Sequence, residues 1–134
     1  MRIIKAVEGI YNPKIAIWGL AFKNGTDDVR ESPAMQIVEQ LLKNNARLCV
    51  YDPKAVANAK KILGDKVEYA SSELKAVKNA DAVAVLTEWD EFSKVDLQEL
   101  KKQMKTPKIV DLRNMLKEKN PVNMGFEYYC IGAN

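Results

Sequence analysis

Short apolar runs rich in β-branched residues alternate with segments of helical periodicity, and this alternation constrains the fold more than any other feature. The runs span residues 14–19, 47–51, 67–70, 82–86, 108–112 and 126–131. Several are apolar at nearly every position, as is typical of strands covered on both faces. We therefore predict an α/β domain, a Rossmann-like three-layer sandwich with a mostly parallel sheet of five to six strands.

Amphipathic helices are predicted between these runs. In residues 33–43 the apolar side chains recur at i, i+3, i+4 and i+7, with Ser32 as the capping residue and Pro33 in the first turn. Further helical segments are predicted at residues 2–8, 55–63, 71–78 and 97–104. We interpret residues 1–12 as the end of a linker helix from an upstream region and residues 13–134 as one domain.

The composition excludes several classes of function. The 134 residues contain no histidine, which excludes Ser-His-Asp and Cys-His catalysis and His-ligated metals, and we predict neither a catalytic residue nor a metal site. The net charge of +3 argues against nucleic-acid binding. Cys49 and Cys130 lie in apolar runs, as buried thiols do. Without an apolar stretch of ~20 residues we expect no membrane partner and a cytoplasmic location.

Polar and cationic residues follow the predicted strands, where ligands bind in such sheets. The first loop, residues 20–31, is about a dozen residues long and carries Lys23 and Arg30, while Arg113 follows the fifth strand. A loop of that length is typically functional, and these cations with the following helix N-terminus suit a phosphate-bearing ligand. The alternative is a solvated loop in which Arg30 pairs with Asp27 or Asp28.

Two dinucleotide-like features carry less weight. No G-x-G-x-x-G or P-loop pattern occurs between Gly19 and Gly25. Asp52, at the end of the second strand, could be a ribose-binding acid, but without the glycine pattern a helix cap is favoured.

A longer pattern is far more specific. The run from Gly19 to Ala34 reads G-L-A-F-K-x-x-T-D-D-x-R-E-S-P-A, followed by Y-D-P at residues 51–53, L-T-E-W at 86–89 and D-L-R-N at 111–114. Together these segments resemble the C-terminal domain of the UDP-glucose/GDP-mannose dehydrogenase family. The resemblance covers residues 13–132.

The resemblance implies a UDP-sugar-binding domain of an NAD-dependent enzyme that oxidises UDP-glucose to UDP-glucuronate in two steps. By position, the UDP-sugar contacts would be Phe22, Lys23, Asn24, Gly25, Thr26, Asp27, Asp28 and Arg113. Arg30 would approach NAD, which the family holds mainly in an upstream domain. Its members also carry the catalytic cysteine upstream and form homodimers or higher homo-oligomers, so the partners implied are UDP-sugar and the upstream domains.

This chain departs from the family pattern in three places. It lacks both the G-x-G-x-x-G domain and the Gly-Gly-x-Cys-Phe motif, so we do not expect activity from the chain alone. Leu112 replaces the usual glycine before Arg113. Two alternatives stay open: a stand-alone nucleotide-binding or regulatory module, and a domain for another nucleotide sugar, such as a UDP-N-acetyl sugar or GDP-mannose.

Overall fold

A computed structural model describes residues 2–23 and 25–130 of the chain. Its six strands are β1 (Lys14–Trp18), β2 (Arg47–Tyr51), β3 (Glu68–Tyr69), β4 (Ala82–Val85), β5 (Lys108–Asp111) and β6 (Glu127–Cys130). They form one sheet in the order β3-β2-β1-β4-β5-β6, and every neighbouring pair is parallel. The predicted α/β sheet is confirmed, with all six strands parallel.

Six α-helices connect or flank the strands. They are α1 (Arg2–Ala6), α2 (Pro33–Lys43), α3 (Val56–Leu63), α4 (Glu73–Ala76), α5 (Asp90–Ser93) and α6 (Leu97–Gln103), and two 3₁₀ turns follow β5 at Lys117–Lys119 and Pro121–Met124. Helix α5 was not predicted, because its four residues are too few to show a period. The end of the last predicted strand, from Ile131, lies outside the described residues.

Alternate residues of β1 enter two separate cores, as the two-residue period of a strand requires. Ile15 and Ile17 pack into the core under α1, α2 and α3, whereas Ala16 and Trp18 pack into the core under α4, α5 and α6. Trp18 is fully buried and stacks on Phe92 with ring centroids 5.4 Å apart. The helices therefore cover both faces and complete the three layers.

One apolar side chain of α3 is left exposed. Ile62 is 51% exposed, whereas Ala59 and Leu63 on the same helix are buried. Ala59 and Leu63 face the sheet, and Ile62 faces outward.

The strand order determines where a ligand can bind. The chain runs from β1 outward to β3, then returns to place β4 on the other side of β1. Where the order reverses, the loops that follow β1 and β4 diverge to opposite faces and leave a crevice beyond the carboxyl ends of these strands. The residues after Trp18 and Val85 therefore form the expected binding edge.

Candidate functional site

The first loop, residues 19–32, begins with a glycine that the packing requires. Gly19 has φ of +100°, and a Cβ atom there would lie 2.5 Å from the Cβ of Thr87. The Thr87 hydroxyl also donates to the Ala21 carbonyl at 3.3 Å. These contacts join the start of the first loop to the segment after β4, directly at the strand-order reversal.

Asp52 anchors the same segment from the other side. Its carboxylate is 2% exposed and accepts the N–H groups of Leu20 and Ala21, at 2.8 and 3.1 Å. It also accepts the indole N–H of Trp89 at 3.2 Å. We call Gly19, Leu20 and Ala21 the loop base, since all three are held by neighbouring segments.

Asp52 does not cap α3 as predicted, because the residue before the helix is Ala55, which has no side-chain capping bond; Asp52 instead holds the turn that precedes the helix. Its Oδ1 atom accepts the N–H groups of Lys54 and Ala55, both at 2.8 Å, immediately before α3. Five N–H donors therefore surround one buried carboxylate. They leave it no exposed oxygen for a ribose hydroxyl, which disfavours the ribose-binding alternative.

Ser32 closes the loop at its far end. The hydroxyl of this buried residue donates to the Leu20 carbonyl at 2.8 Å and accepts the Met35 N–H at 3.4 Å. Pro33 has no N–H group, and the Met35 N–H is already bound to Ser32. Two positions in the first turn of α2 therefore offer no N–H to a ligand. The helix N-terminus thus contributes less to anion binding than the sequence suggested.

Most of the middle of the loop is exposed or partly exposed, although Val29 is buried. We call residues 22–23 and 25–30 the loop tip; the predicted site residue Asn24 lies outside the described residues. Phe22 is 51% exposed, and Lys23, Gly25 and Asp27 are also exposed. The Phe22 N–H donates to the Asp28 carbonyl at 2.7 Å, which closes the tip on itself and displays the Phe22 and Lys23 side chains outward.

Arg30 is paired within the tip. Its guanidinium donates to both carboxylate oxygens of Asp28, at 3.0 and 3.1 Å, and the Arg30 side chain is 87% exposed. These bonds hold the pKa of Asp28 below its usual value. The salt bridge foreseen in the solvated-loop alternative exists, and it orients the guanidinium beside the loop.

A cleft of about 530 Å³ separates the tip from α3. Its lining includes Asp28 and Arg30 on the loop and Asn58 and Lys61 on the helix. The Asn58 amide donates to the Asp27 carbonyl at 2.9 Å, so the tip also rests on α3. Thr26, another predicted site residue, lines this cleft and accepts the Asp28 N–H at 3.1 Å.

Arg113 reaches the same edge from the end of β5. Its Nε atom donates to the Leu86 carbonyl at 3.2 Å, and its Nη1 atom lies 3.6 Å from a carboxylate oxygen of Glu88. The side chain is 39% exposed. Thr87, which contacts the loop base, lies between these two partners in sequence, so residues 86–88 connect Arg113 to the first loop.

A second buried carboxylate shapes the segment that carries Arg113. Asp111 is fully buried and accepts the N–H groups of Met115 and Leu116 at 3.0 and 2.7 Å. The Tyr128 hydroxyl donates to it at 2.7 Å. Burial, and next the bond to Asp111, raise the pKa of Tyr128. Leu112, which replaces the family's glycine, packs against the core under α1, α2 and α3.

Sequence patterns did not predict an acid pair formed between α4 and α5. The Glu73 Oε2 atom, on α4, is buried and receives no hydrogen bond from the described residues, and Glu91 on α5 lies beside it. The Tyr51 hydroxyl donates to Glu91 at 2.8 Å. Burial first, and Glu91 second, raise the pKa of Glu73 to about 7. A proton on Glu73 can be donated to Glu91, which satisfies the buried oxygen. The pairing of Glu73 with Glu91 has no sequence signal, because α4 and α5 are only four residues long and show no periodicity.

Neither a membrane-spanning helix nor a metal centre is present among the described residues. None of their helices is both long and apolar enough to cross a bilayer. Within residues 2–23 and 25–130, no group of three cysteine or acidic side chains is arranged to hold a metal ion.

Solved structures place the fold among dehydrogenase domains. The NDP-N-acetyl-D-galactosaminuronic acid dehydrogenase of Methanosarcina mazei matches 98% of this chain with a TM-score of 0.82 and 29% identity. A UDP-glucose dehydrogenase from Pyrobaculum islandicum matches 98% with a TM-score of 0.78 and 28% identity. The chain covers 28% and 27% of these structures, respectively. The fold and its polar edge thus define a domain of the nucleotide-sugar dehydrogenase type.

Sequence comparison gives the family. Residues 16–118 match the UDP binding domain of the UDP-glucose/GDP-mannose dehydrogenase family, and the chain belongs to that family. The UDP-glucose 6-dehydrogenase of Rhizobium meliloti is 42% identical over 132 residues, and that of Bacillus subtilis is 38% identical over 131. Each alignment covers 98% of this chain, which spans about 30% of the length of either relative.

Proposed function

We propose that this chain binds the UDP part of a UDP-sugar at the carboxyl edge of β1, β4 and β5. The observation that carries the proposal is that Ala21, two residues before Lys23, and Arg113 both contact residues 86–88, at the point where the strand order reverses. Membership of a family defined by a UDP binding domain supports it.

Lys23 is the cation best suited to a diphosphate. Its side chain is exposed and makes no hydrogen bond or ion pair with the described residues. An ammonium in that state can bind a phosphate oxygen without first giving up another partner. The twelve residues 20–31 carry two basic and three acidic side chains, so the local field does not attract an anion. Recognition must therefore come from individual donors.

Arg113 must exchange one partner to bind phosphate. The Nη1–Glu88 contact of 3.6 Å is long, and both side chains are partly exposed, so it stabilises little. The Nε–Leu86 hydrogen bond holds the guanidinium at the edge meanwhile. A phosphate would replace Glu88 as the anionic partner while the Leu86 contact persists.

Phe22 offers an apolar surface beside these cations. About half of it is exposed, and a nucleobase gains roughly 1–3 kcal/mol by stacking on an aromatic ring. The remaining site residues, Asn24, Gly25, Thr26, Asp27 and Asp28, belong to the same proposal as contacts of the UDP-sugar through the loop tip.

NAD binding by this chain would rest on Arg30. Asp52 cannot hold the ribose, because its carboxylate is buried and already accepts five N–H groups. The described residues therefore do not form a complete dinucleotide site. Arg30 is exposed beside the 530 Å³ cleft, and we assign it the contact with NAD held mainly by an upstream domain.

The reaction proposed for the whole protein is the NAD-dependent oxidation of UDP-glucose to UDP-glucuronate. The UDP-glucose 6-dehydrogenases that match at 42% and 38% identity favour this sugar over the UDP-N-acetyl sugars. In that protein the present chain would hold the nucleotide while upstream domains supply NAD, the reacting groups and the homo-oligomer contacts.

Titration calorimetry with UDP tests the proposed site. Lys23→Ala is expected to weaken UDP binding by roughly tenfold to 150-fold, which corresponds to about 1.5–3 kcal/mol for a charge-assisted bond. Lys105→Ala is the matched control, because Lys105 is exposed at the amino-terminal edge, where its N–H donates to the Ala80 carbonyl. Affinity for UDP should be unchanged in that variant.

Two outcomes contradict the proposal. An unchanged affinity in Lys23→Ala removes Lys23 from the site. If UDP binds neither to the chain alone nor to the chain joined to upstream dehydrogenase domains, the proposed function is wrong.

A further inference from the structure

We propose that Asp52 and Trp89 are positioning residues of the nucleotide site: the Asp52 carboxylate sets the loop base, and the Trp89 indole fixes that carboxylate. The inference rests on the proposed function, because the loop base leads directly to Phe22 and Lys23. Neither residue is assigned a contact with the ligand.

The two oxygens of Asp52 have separate tasks. Oδ1 accepts the N–H groups of Lys54 and Ala55, in the turn before α3. Oδ2 accepts those of Leu20 and Ala21, together with the indole N–H of Trp89. Loss of the indole donor therefore changes the environment of Oδ2, which faces the loop, and leaves the bonds to the turn before α3 in place.

Because Asp52 is buried, the loss of any one of its hydrogen bonds is costly. No lysine or arginine among the described residues pairs with Asp52, so its negative charge is balanced by N–H dipoles alone. A carboxylate that is 2% exposed cannot replace a lost donor with bulk water at no cost. Without the indole, Oδ2 retains two donors, and the peptide groups of the loop base must shift to improve them.

A shift at the loop base would move the proposed binding groups. Ala21 is one residue before Phe22 and two before Lys23, and the Phe22–Asp28 hydrogen bond makes the tip move with its base. Each residue spans about 3.8 Å of chain, so a small rotation at residues 20–21 displaces the Lys23 ammonium by ångströms. Binding through that ammonium is sensitive to such displacements.

Trp89→Phe is the sharpest test, because it removes the N–H donor and keeps an aromatic ring. The control is Tyr51→Phe, which also removes one side-chain donor and keeps an aromatic ring. The lost Tyr51 hydroxyl donates to Glu91 and not to Asp52. Calorimetry should show UDP binding weakened roughly threefold to tenfold in Trp89→Phe, since part of a hydrogen bond to a charged group is lost, and within twofold of wild type in Tyr51→Phe.

Amide hydrogen exchange supplies a measurement that does not need the nucleotide. In Trp89→Phe the amides of Leu20 and Ala21 should exchange faster relative to that of Ile17 in β1, and in Tyr51→Phe they should not. Asp52→Asn, which keeps the shape but loses the charge, should weaken UDP binding more than Trp89→Phe does. If Asp52→Asn does not fold, the UDP affinity and amide exchange of Trp89→Phe still test the positioning role.

The outcomes separate this inference from the proposed function. UDP affinity and amide exchange that are both unchanged in Trp89→Phe overturn the positioning role while leaving the nucleotide site intact. Weaker binding with unchanged exchange also overturns it, since Trp89 would then touch the ligand itself. If wild type binds no UDP, either alone or joined to upstream dehydrogenase domains, the proposed function fails, and the exchange of Leu20 and Ala21 alone supports or overturns the control of the loop base by Trp89.

Discussion

The base and the tip of the first loop are only a few residues apart, yet their surroundings are opposite. The base is held by Asp52, Thr87 and Ser32 through hydrogen bonds to Leu20 and Ala21. The tip is exposed at Phe22, Lys23 and Gly25. In the proposed site, the anchored base restricts the average position of the exposed Phe22 and Lys23 side chains.

Alanine at the two glycines should separate base from tip most strongly. Both have positive φ, +100° for Gly19 and +82° for Gly25, but a Cβ at Gly19 would clash with Thr87, whereas one at Gly25 meets nothing within 4 Å. We expect Gly19→Ala to lower the free energy of unfolding by about 3 kcal/mol or more, and Gly25→Ala by about 1–2 kcal/mol. Urea denaturation measures both, and equal losses would refute the distinction.

Removal of the Ser32 hydroxyl tests the other end of the base. Ser32→Ala loses the cap on Met35 and leaves the Leu20 carbonyl without its donor, both in a buried setting. The expected cost is about 1–2 kcal/mol in the free energy of unfolding. Ser72→Ala is the control, because Ser72 caps the Lys75 N–H of α4 in an exposed setting. A Ser32 variant no less stable than that control would show that the base is weakly anchored.

Buried and exposed surroundings also shift the pKa values of two acidic residues in opposite directions. Burial raises the pKa of Glu73 on α4 to about 7, from an ordinary value of 4.5, whereas at the exposed tip Arg30 lowers the pKa of Asp28. A raised pKa means that the folded state retains the Glu73 proton longer than the unfolded state does. The stability that Glu73 contributes is therefore complete below about pH 4.5 and is lost as the pH rises to about 7.

Glu73→Gln should remove this pH dependence. The neutral amide approximates the protonated carboxyl, so the variant should be more stable than wild type at pH 8 and differ less at pH 5. Urea denaturation at the two pH values measures the difference. Glu68→Gln, an exposed glutamate on β3, is the control and should track wild type. If the wild-type pH dependence survives in Glu73→Gln, the buried acid pair is not its source.

Sequence patterns predicted contacts between residues close in the chain, but not contacts between distant residues. Alternating apolar runs predicted the sheet because periodicity is local, and the position of Arg113 after β5 placed it at the carboxyl edge of the sheet. No local pattern could show that Trp89 donates to Asp52 or that Glu88 lies near Arg113, since those pairs meet only after the strands are ordered. The Arg30–Asp28 bridge was foreseen as an alternative because its partners are two residues apart.

Of these substitutions, Asp28→Asn should have the smallest effect on the free energy of unfolding. It therefore tests whether the tip lacks a structural anchor. The ion pair with Arg30 is solvent-exposed, and such pairs contribute little after screening by water and salt. The lowered pKa of Asp28 would add stability above its unfolded value that is lost as the pH falls through the folded one, opposite in sign to Glu73. We expect the midpoint of urea denaturation at pH 7 to match that of wild type within error. A clear loss would mean that the Asp28 carboxylate is a structural anchor like Asp52, and the tip would then be as rigidly held as the base.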